Sequence, residues 1–402
     1  MRIMVAYFEQ FIELSGGVER MGSELANALV ERGHNVSFVY CYGRNGECFY
    51  PLDHRIKIFN LMTLHKRHWK NNALSQCVPR HAKMVRELLR AFSPSKARDW
   101  NEQCKGKMIA QEINEVVHQI QPDVIVSLRY ETSNYILNSA HITVPVVTRS
   151  FMNPDFMLAH APIGEIQALQ RSRAVHVLVK GDVQAMKKYC PDTNIVWIPN
   201  PVPQYKESAD LGSQKNTYTI INVARLNKTQ KRQHLLIQAF ARLASEFPNW
   251  NVEIWGGEND ARHGYAKELE ELIKTNHLEQ RVLLKGETHD VLRQYLHSDI
   301  FCFPSAHEGF GNALAEALSA GLPAVVFRSC PAVGDLVEDG KNGIRCDDGI
   351  DELAAALKRL MAHQDERVKM GQYAKISMRQ YAPDKVWDMW EDLIVNTGKE
   401  GI

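Results

Sequence analysis

Short apolar runs of strand length alternate with helix-length amphipathic stretches along the chain, and the alternation starts afresh after a proline-rich segment near its middle. Residues 2–8 read as a first strand. Gly16 and Gly17 break the chain, then Val18, Met21, Leu25, Ala28 and Leu29 recur at helical spacing until Gly33, ahead of a strand at 36–40. Further strands are expected at 123–128, 144–148, 174–179 and 195–198. In Ile198-Pro199-Asn200-Pro201-Val202-Pro203 each proline fixes its own φ and disfavours helix before it, so the segment reads as a linker. A second series follows: strand 217–224, helix 231–246, strand 251–255, helix 263–276, strand 281–285, helix 289–297, strand 299–303, helix 312–320 and strand 323–327. Strands separated by helices predict parallel sheets covered on both faces.

At 402 residues the chain is long for one core. The expected fold class is α/β: two Rossmann-like doubly wound domains, residues 1–200 and 201–380, facing a cleft at the carboxyl edges of their sheets, where such sheets bind ligands. Within 381–402 an apolar helix carries Val386, Trp387, Met389, Trp390, Leu393 and Ile394. It is expected either to pack back on the first domain or to cap the second.

No apolar run approaches the roughly 20 residues of a membrane span. The first strand meets Glu9 too soon for a signal peptide. Eight cysteines without a CxxC pair suggest a reduced, cytoplasmic setting and no structural zinc. Net charge is 48 − 47 = +1, and no nucleic-acid partner is expected. The charge is uneven: residues 64–107 hold 11 Lys/Arg against 3 Asp/Glu. That segment includes Lys66-Arg67-His68-Trp69-Lys70 and an amphipathic stretch, 82–92, with Met84, Val85, Leu88, Leu89 and Phe92. The apolar stripe is expected to pack on its own domain. The cationic face suits either solvent or an anionic membrane surface, which would make the protein peripheral.

The densest chemical signal is His307-Glu308-Gly309-Phe310-Gly311-Asn312-Ala313-Leu314-Ala315-Glu316, between strand 299–303 and helix 312–320. Glycines in the turn let a ligand approach the backbone, and the helix start offers unpaired N–H groups and a positive dipole end. Phosphate at the centre and carboxylates at both ends suit a sugar nucleotide. Arg225, just past a strand, and Lys231, expected to open the next helix, could neutralise a diphosphate, or could be solvated surface charges. Gly16-Gly17 lacks GxGxxG spacing, which argues against a dehydrogenase, and either a phosphate contact or a simple turn explains it.

With these pieces in order, the chain resembles the retaining GT-B glycosyltransferases of glycosyltransferase family four. The matching elements are Gly16-Gly17-Val18-Glu19-Arg20, Ile198-Pro199-Asn200-Pro201, Val223-Ala224-Arg225-Leu226 with Lys231, Glu308-x7-Glu316 and Asp339-Gly340-Lys341-Asn342-Gly343. The resemblance implies that Arg225 and Lys231 hold the donor diphosphate and that Glu308 orients the donor sugar. It also implies that Gly311 to Leu314 give N–H groups to phosphate, that Glu316 binds the ribose, and that Glu287 lies near the base. Catalysis is then assigned to Glu308, Arg225 and Lys231. Donor binding is assigned to Gly16, Gly17, Phe310, Gly311, Asn312, Ala313, Leu314, Glu316 and Glu287. Neither metal nor cofactor is implied. The first domain departs from the pattern: the family histidine after strand 144–148 is missing, which leaves Arg149, Ser150, Asn153 or His160 to stand in.

The reaction expected is transfer, with retention, of a hexose or N-acetylhexosamine from a nucleotide sugar, UDP-linked, to a glycan or lipid-linked saccharide of a cell-surface polymer. The alternatives are a UDP-sugar 2-epimerase of related fold and a catalytically silent nucleotide-sugar binder.

Overall fold

The computed structural model describes residues 1–64, 72–258 and 264–399. The chain divides into two compact units, Met1–Pro199 with Val386–Ile402, and Asn200–Lys385.

The first unit runs β1 (Arg2–Tyr7), α1 (Gly17–Glu31), β2 (Asn35–Tyr40), β3 (Lys57–Asn60), α2 (Leu74–Cys77), α3 (Arg80–Phe92), α4 (Pro94–Ile120), β4 (Val124–Ser127) and α5 (Tyr130–Asn134). A π-helical turn, Tyr135–Ser139, continues α5. Then come β5 (Val146–Arg149), α6 (Pro154–Leu158), α7 (Ile163–Arg171), β6 (Ala174–Val177), α8 (Asp182–Lys187) and β7 (Asn194–Trp197). Its sheet has the order β3-β2-β1-β4-β5-β6-β7, every pair parallel. The strands are almost wholly apolar because helices cover both faces. On one face Ile3, Val5, Leu25, Phe38 and Val126 pack together; on the other Met4, Ala6, Ile109, Ile113 and Ile125 do.

The second unit runs β8 (Tyr218–Val223), α9 (Gln233–Ala241), β9 (Trp250–Trp255), α10 (Tyr265–Thr275), β10 (Val282–Gly286), α11 (Val291–Leu296), β11 (Ile300–Phe303), α12 (Asn312–Ser319) and β12 (Ala324–Phe327). It continues through α13 (Val333–Leu336), β13 (Gly343–Cys346), α14 (Ile350–Ala362), α15 (Gln364–Ser377) and the start of α16 (Pro383–Lys399). The sheet order is β10-β9-β8-β11-β12-β13, again all parallel.

Val386, Trp390, Leu393 and Ile394 of α16 belong to the same apolar cluster as Ile3, Leu25 and Val126. Arg32, the C-cap of α1, pairs with Asp388 at 3.0 Å and Glu391 at 3.2 Å. Trp390 packs on His176, ring centroids 4.6 Å apart.

Two short strands, β3 and β13, were not expected; both lie at sheet edges, where polar residues weaken the apolar signal. The expected helix at 231–246 is shorter, Gln233–Ala241. Lys231 therefore does not open it. The turn ahead of α9 is held by Arg232, which takes a left-handed φ of 54° while its Nε donates to the Pro304 carbonyl at 2.8 Å. The expected helix 263–276 is seen as Tyr265–Thr275, its residue 263 lying outside the described residues. So does the Lys66–Lys70 run.

The 82–92 stripe packs only in part. Ala82 is buried and Val85 and Leu89 are half-buried, but Met84, Leu88 and Phe92 are exposed. No described helix is long and apolar enough to cross a membrane.

Candidate functional site

Each sheet has one topological switch point, where successive connections leave in opposite directions: β1/β4 in the first unit and β8/β11 in the second. Open parallel sheets bind ligands at the carboxyl ends of such strands.

In the second unit β8 leads into Ala224 and Arg225. The exposed Arg225 side chain stands two residues past the strand. Its loop is clamped from beneath by Gln233, which is completely buried. Gln233 Nε2 donates to the Arg225 carbonyl at 2.9 Å, and its Oε1 accepts from the Asn227 amide at 3.4 Å. Asn227 Oδ1 also accepts from the Gln230 amide at 2.7 Å, shaping the turn that presents Lys231.

β11 leads into the 304–311 turn, which is laced to the same loop. The Ala306 amide donates to the Gln230 carbonyl at 2.8 Å, and Gln230 Nε2 donates to the His307 carbonyl at 3.2 Å. The result is a close pair: Lys231 Nζ lies 2.5 Å from Glu308 Oε1, with side chains only 13% and 10% exposed. Lys231 also sits 5.8 Å from the centre of the Phe303 ring.

Gly311, at a φ of 91°, caps α12, a conformation that would strain any residue with a Cβ. The amides of Asn312, Ala313 and Leu314 form the first turn of α12 and have no acceptor within the helix. Behind them Phe310 is buried edge-on against Tyr381, and Asn312 Oδ1 accepts from Asn200 Nδ2 at 3.0 Å. Glu316 is buried one turn further along.

Gly256, at a φ of 137°, follows β9; a Cβ there would strike the Ala224 carbonyl. The loop after β9 thereby lies directly beside the Arg225 loop, with the Leu226 amide donating to the Gly257 carbonyl at 2.9 Å. Glu287 is exposed after β10, with its carboxylate over Gly257. Arg225, Lys231, Glu308, Glu287 and the start of α12 thus gather at one edge of one sheet.

Sequence reasoning missed Cys330. It is buried beside the Lys231–Glu308 pair, and burial, with Glu308 nearby, pushes its thiol up to about 12. It serves as packing rather than as a nucleophile.

The first-unit candidates are placed differently. Gly16 is the N-cap of α1, and Glu19 folds back over it, buried, accepting from Tyr7 Oη at 2.7 Å. Burial and the Glu19 carboxylate raise the Tyr7 phenol well above its ordinary range. Gly17 faces open space. Arg149 is buried, 5.9 Å over the Trp390 ring, and burial lowers its guanidinium to about 10. Ser150 is buried against Tyr130 Oη at 2.6 Å. Asn153 caps α6, accepting from the Phe156 amide and donating to Asp182 at 2.7 Å. His160 is exposed in the turn after α6.

The structure instead gathers charges that the sequence did not single out. Glu9, past β1, and Arg129, past β4, flank the first switch point at 2.8 Å, and Arg129 also meets Glu131 at 3.2 Å. Beside them Lys105 pairs with Glu102 at 2.7 Å, and Tyr135 Oη donates to Glu102 at 2.5 Å. Glu165 is buried near Glu131 and Glu102. Burial, then those two carboxylates, push it up to about 8. A concavity of about 1110 Å³ opens at the other edge of this sheet, lined by Pro145, Arg171, Asp192 and Asn396, away from all these groups. No group of three or more metal-ligating side chains converges among the described residues.

Residues 204–377 match the family described as Glycosyl transferases group 1. An uncharacterized glycosyltransferase of Haemophilus influenzae is 25% identical over 97% of this chain and 99% of its own length. The lipopolysaccharide core biosynthesis mannosyltransferase LpsB of Rhizobium meliloti is 28% identical over 35% of this chain and 40% of its own. Among solved structures, Anabaena Alr3699/HepE in complex with UDP and glucose superposes with a TM-score of 0.70 at 16% identity, over 98% of this chain and 99% of that one. The two parallel-sheet units therefore have the GT-B glycosyltransferase fold, and residues 204–377 are similar to the glycosyl transferases of group 1.

Proposed function

We propose that the chain is a retaining, metal-independent glycosyltransferase. It moves a hexose or N-acetylhexosamine from a UDP-sugar to a glycan or lipid-linked saccharide in surface-polymer synthesis. The observation that carries this reading is the Lys231–Glu308 pair at the β8/β11 switch point, with Arg225 and the open start of α12 beside it.

A nucleoside diphosphate needs fixed cations and N–H donors, and this edge offers both. Lys231 and Arg225 take the two phosphates and stabilise the charge that grows on the leaving diphosphate. The amides of Asn312 to Leu314 point at the same oxygens along the α12 dipole. Glu308, held by Lys231 at rest, accepts hydrogen bonds from hexose hydroxyls once Lys231 turns to phosphate. Glu316 takes the ribose and Glu287 lies at the base. Phe310 and Leu314, both buried, hold the turn from behind. With retention the departing diphosphate oxygen accepts the proton of the acceptor hydroxyl, the new glycosidic bond forms on the face that the diphosphate leaves, and no covalent enzyme intermediate is required.

Glu9, Arg129 and Glu131 are the acceptor-side groups in this reading. Arg149 and Asn153 support the first unit from within. Glu19 already fills the anion position at the start of α1, so Gly16 and Gly17 supply close backbone approach rather than a phosphate cradle. The Anabaena structure supports the choice of UDP, as the Rhizobium relative supports that of polymer class.

The test is product analysis with UDP-, GDP- and ADP-sugars and a pool of saccharide acceptors. Free UDP formed only with acceptor, with the α-anomeric linkage kept, is the expected result. An altered UDP-sugar formed without acceptor would overturn it in favour of epimerisation.

A further inference from the structure

Helix α3 displays its apolar residues on the outside. Met84, Leu88 and Phe92 are 68%, 64% and 89% exposed. At spacings of four they form one stripe along the helix. The opposite side, with Ala82 buried, rests on α4, where Trp100 Nε1 donates to the Ala82 carbonyl at 3.1 Å and Arg86 reaches Asn101 at 3.4 Å. The stripe is therefore turned outward by specific contacts behind it.

Its surroundings are cationic. Residues 80–98 carry six Lys/Arg (Arg80, Lys83, Arg86, Arg90, Lys96 and Arg98) against one carboxylate, Glu87. Glu87 is already taken by Arg86 at 2.6 Å and Arg90 at 2.9 Å. Arg80, Arg90, Lys96 and Arg98 are exposed.

We infer that α3 docks the protein on an anionic lipid surface, with Met84, Leu88 and Phe92 entering the acyl boundary and the flanking cations meeting headgroup phosphates. Apolar residues on one stripe, with cations along its border and at its end, match a helix lying in a bilayer interface. A second copy of the chain fits poorly: the same face would set like charges against each other, and a stable dimer takes about 20 residues a side. The same α4 that carries α3 supplies Glu102 and Lys105 to the charged group at the carboxyl edge of the first sheet. Docking would hold that edge close to the membrane, where a lipid-linked saccharide is presented. The surface itself is independent of the transferase reading and is tested without it.

The experiment is flotation of the full chain with vesicles of phosphatidylcholine alone and with phosphatidylglycerol added, at low and high salt. Recovery should require the acidic lipid and fall as salt rises. Met84→Ser/Leu88→Ser/Phe92→Ser should weaken partitioning by about tenfold or more, and so should Arg80→Glu/Arg90→Glu. The melting temperature should be unchanged in both variants. Equal recovery with neutral vesicles, or undiminished binding by both variants, overturns the inference. So does a dimer in light scattering that the triple variant dissolves, since the occupant would then be a second copy.

Discussion

Gln233, without solvent exposure, donates from Nε2 to the carbonyl of Arg225 at 2.9 Å. A buried amide thus fixes the loop that carries an exposed cation. Gln233→Leu leaves the Arg225 carbonyl and the Asn227 amide without these partners. It should cost roughly 1–3 kcal/mol, read by urea unfolding. It should also weaken UDP-sugar binding, although residue 233 itself touches no substrate in the proposed reaction.

Lys231→Ala and Arg225→Ala should each lower sugar transfer about 100-fold or more, because leaving-group charge goes unneutralised. Their stabilities should differ. Arg225 is exposed, so its loss is nearly neutral. Removing Lys231 strands a Glu308 carboxylate that is only 10% exposed, so Lys231→Ala should melt earlier and Lys231→Ala/Glu308→Gln should recover the difference. Steady-state UDP release beside thermal melts separates the two effects. Near-normal transfer in both single variants would remove the diphosphate assignment.

Glu165 predicts a pH dependence of stability. Its folded carboxyl sits at about 8 against an ordinary value of 4.5, through burial and the nearby Glu131 and Glu102. Between those values the folded state keeps a proton that the unfolded state has lost. Stability should therefore fall as pH rises from about 4.5 to 8, at up to about 1.4 kcal/mol per pKa unit. Glu165→Gln should flatten that slope, melting near the parent at pH 5 and above it at pH 8.5. An unchanged slope would show that Glu165 is ionised throughout.

Gly256→Ala forces a Cβ onto the Ala224 carbonyl at a φ of 137°. The expected loss is roughly 2–4 kcal/mol. Gly257→Ala instead meets only the mobile end of the Glu287 side chain and should cost less. Comparison of the two unfolding midpoints tests whether the backbone approach governs this corner.

The two-sheet architecture was readable from the chain because parallel strands buried on both faces keep unbroken apolar runs, as in Ile300–Phe303 and Ala324–Phe327. The 308–316 corner was readable because its glycine turn is local. The Lys231–Glu308 pair spans 77 residues and carries no local signature beyond the resemblance. Glu9 and Arg129, 120 residues apart, were missed for the same reason; Glu9 simply reads as the polar residue that ends a strand. Arg149 could have been placed better. Strand parity puts it on the face of Val147, which packs with Trp390 in the core, so it turns inward. The α3 stripe was misjudged because periodicity reveals an apolar face but not what covers it.

The closing helix adds its side chains to the apolar cluster that holds the very first strand, and Gly398 is packed so tightly on Met1 that a Cβ would collide with it. A ribosome makes those residues after residues 200–385. Nascent residues 200–385 can already be folded while the N-terminal half still waits for its final piece, so removal of residues 386–399 should damage the part of the protein made first.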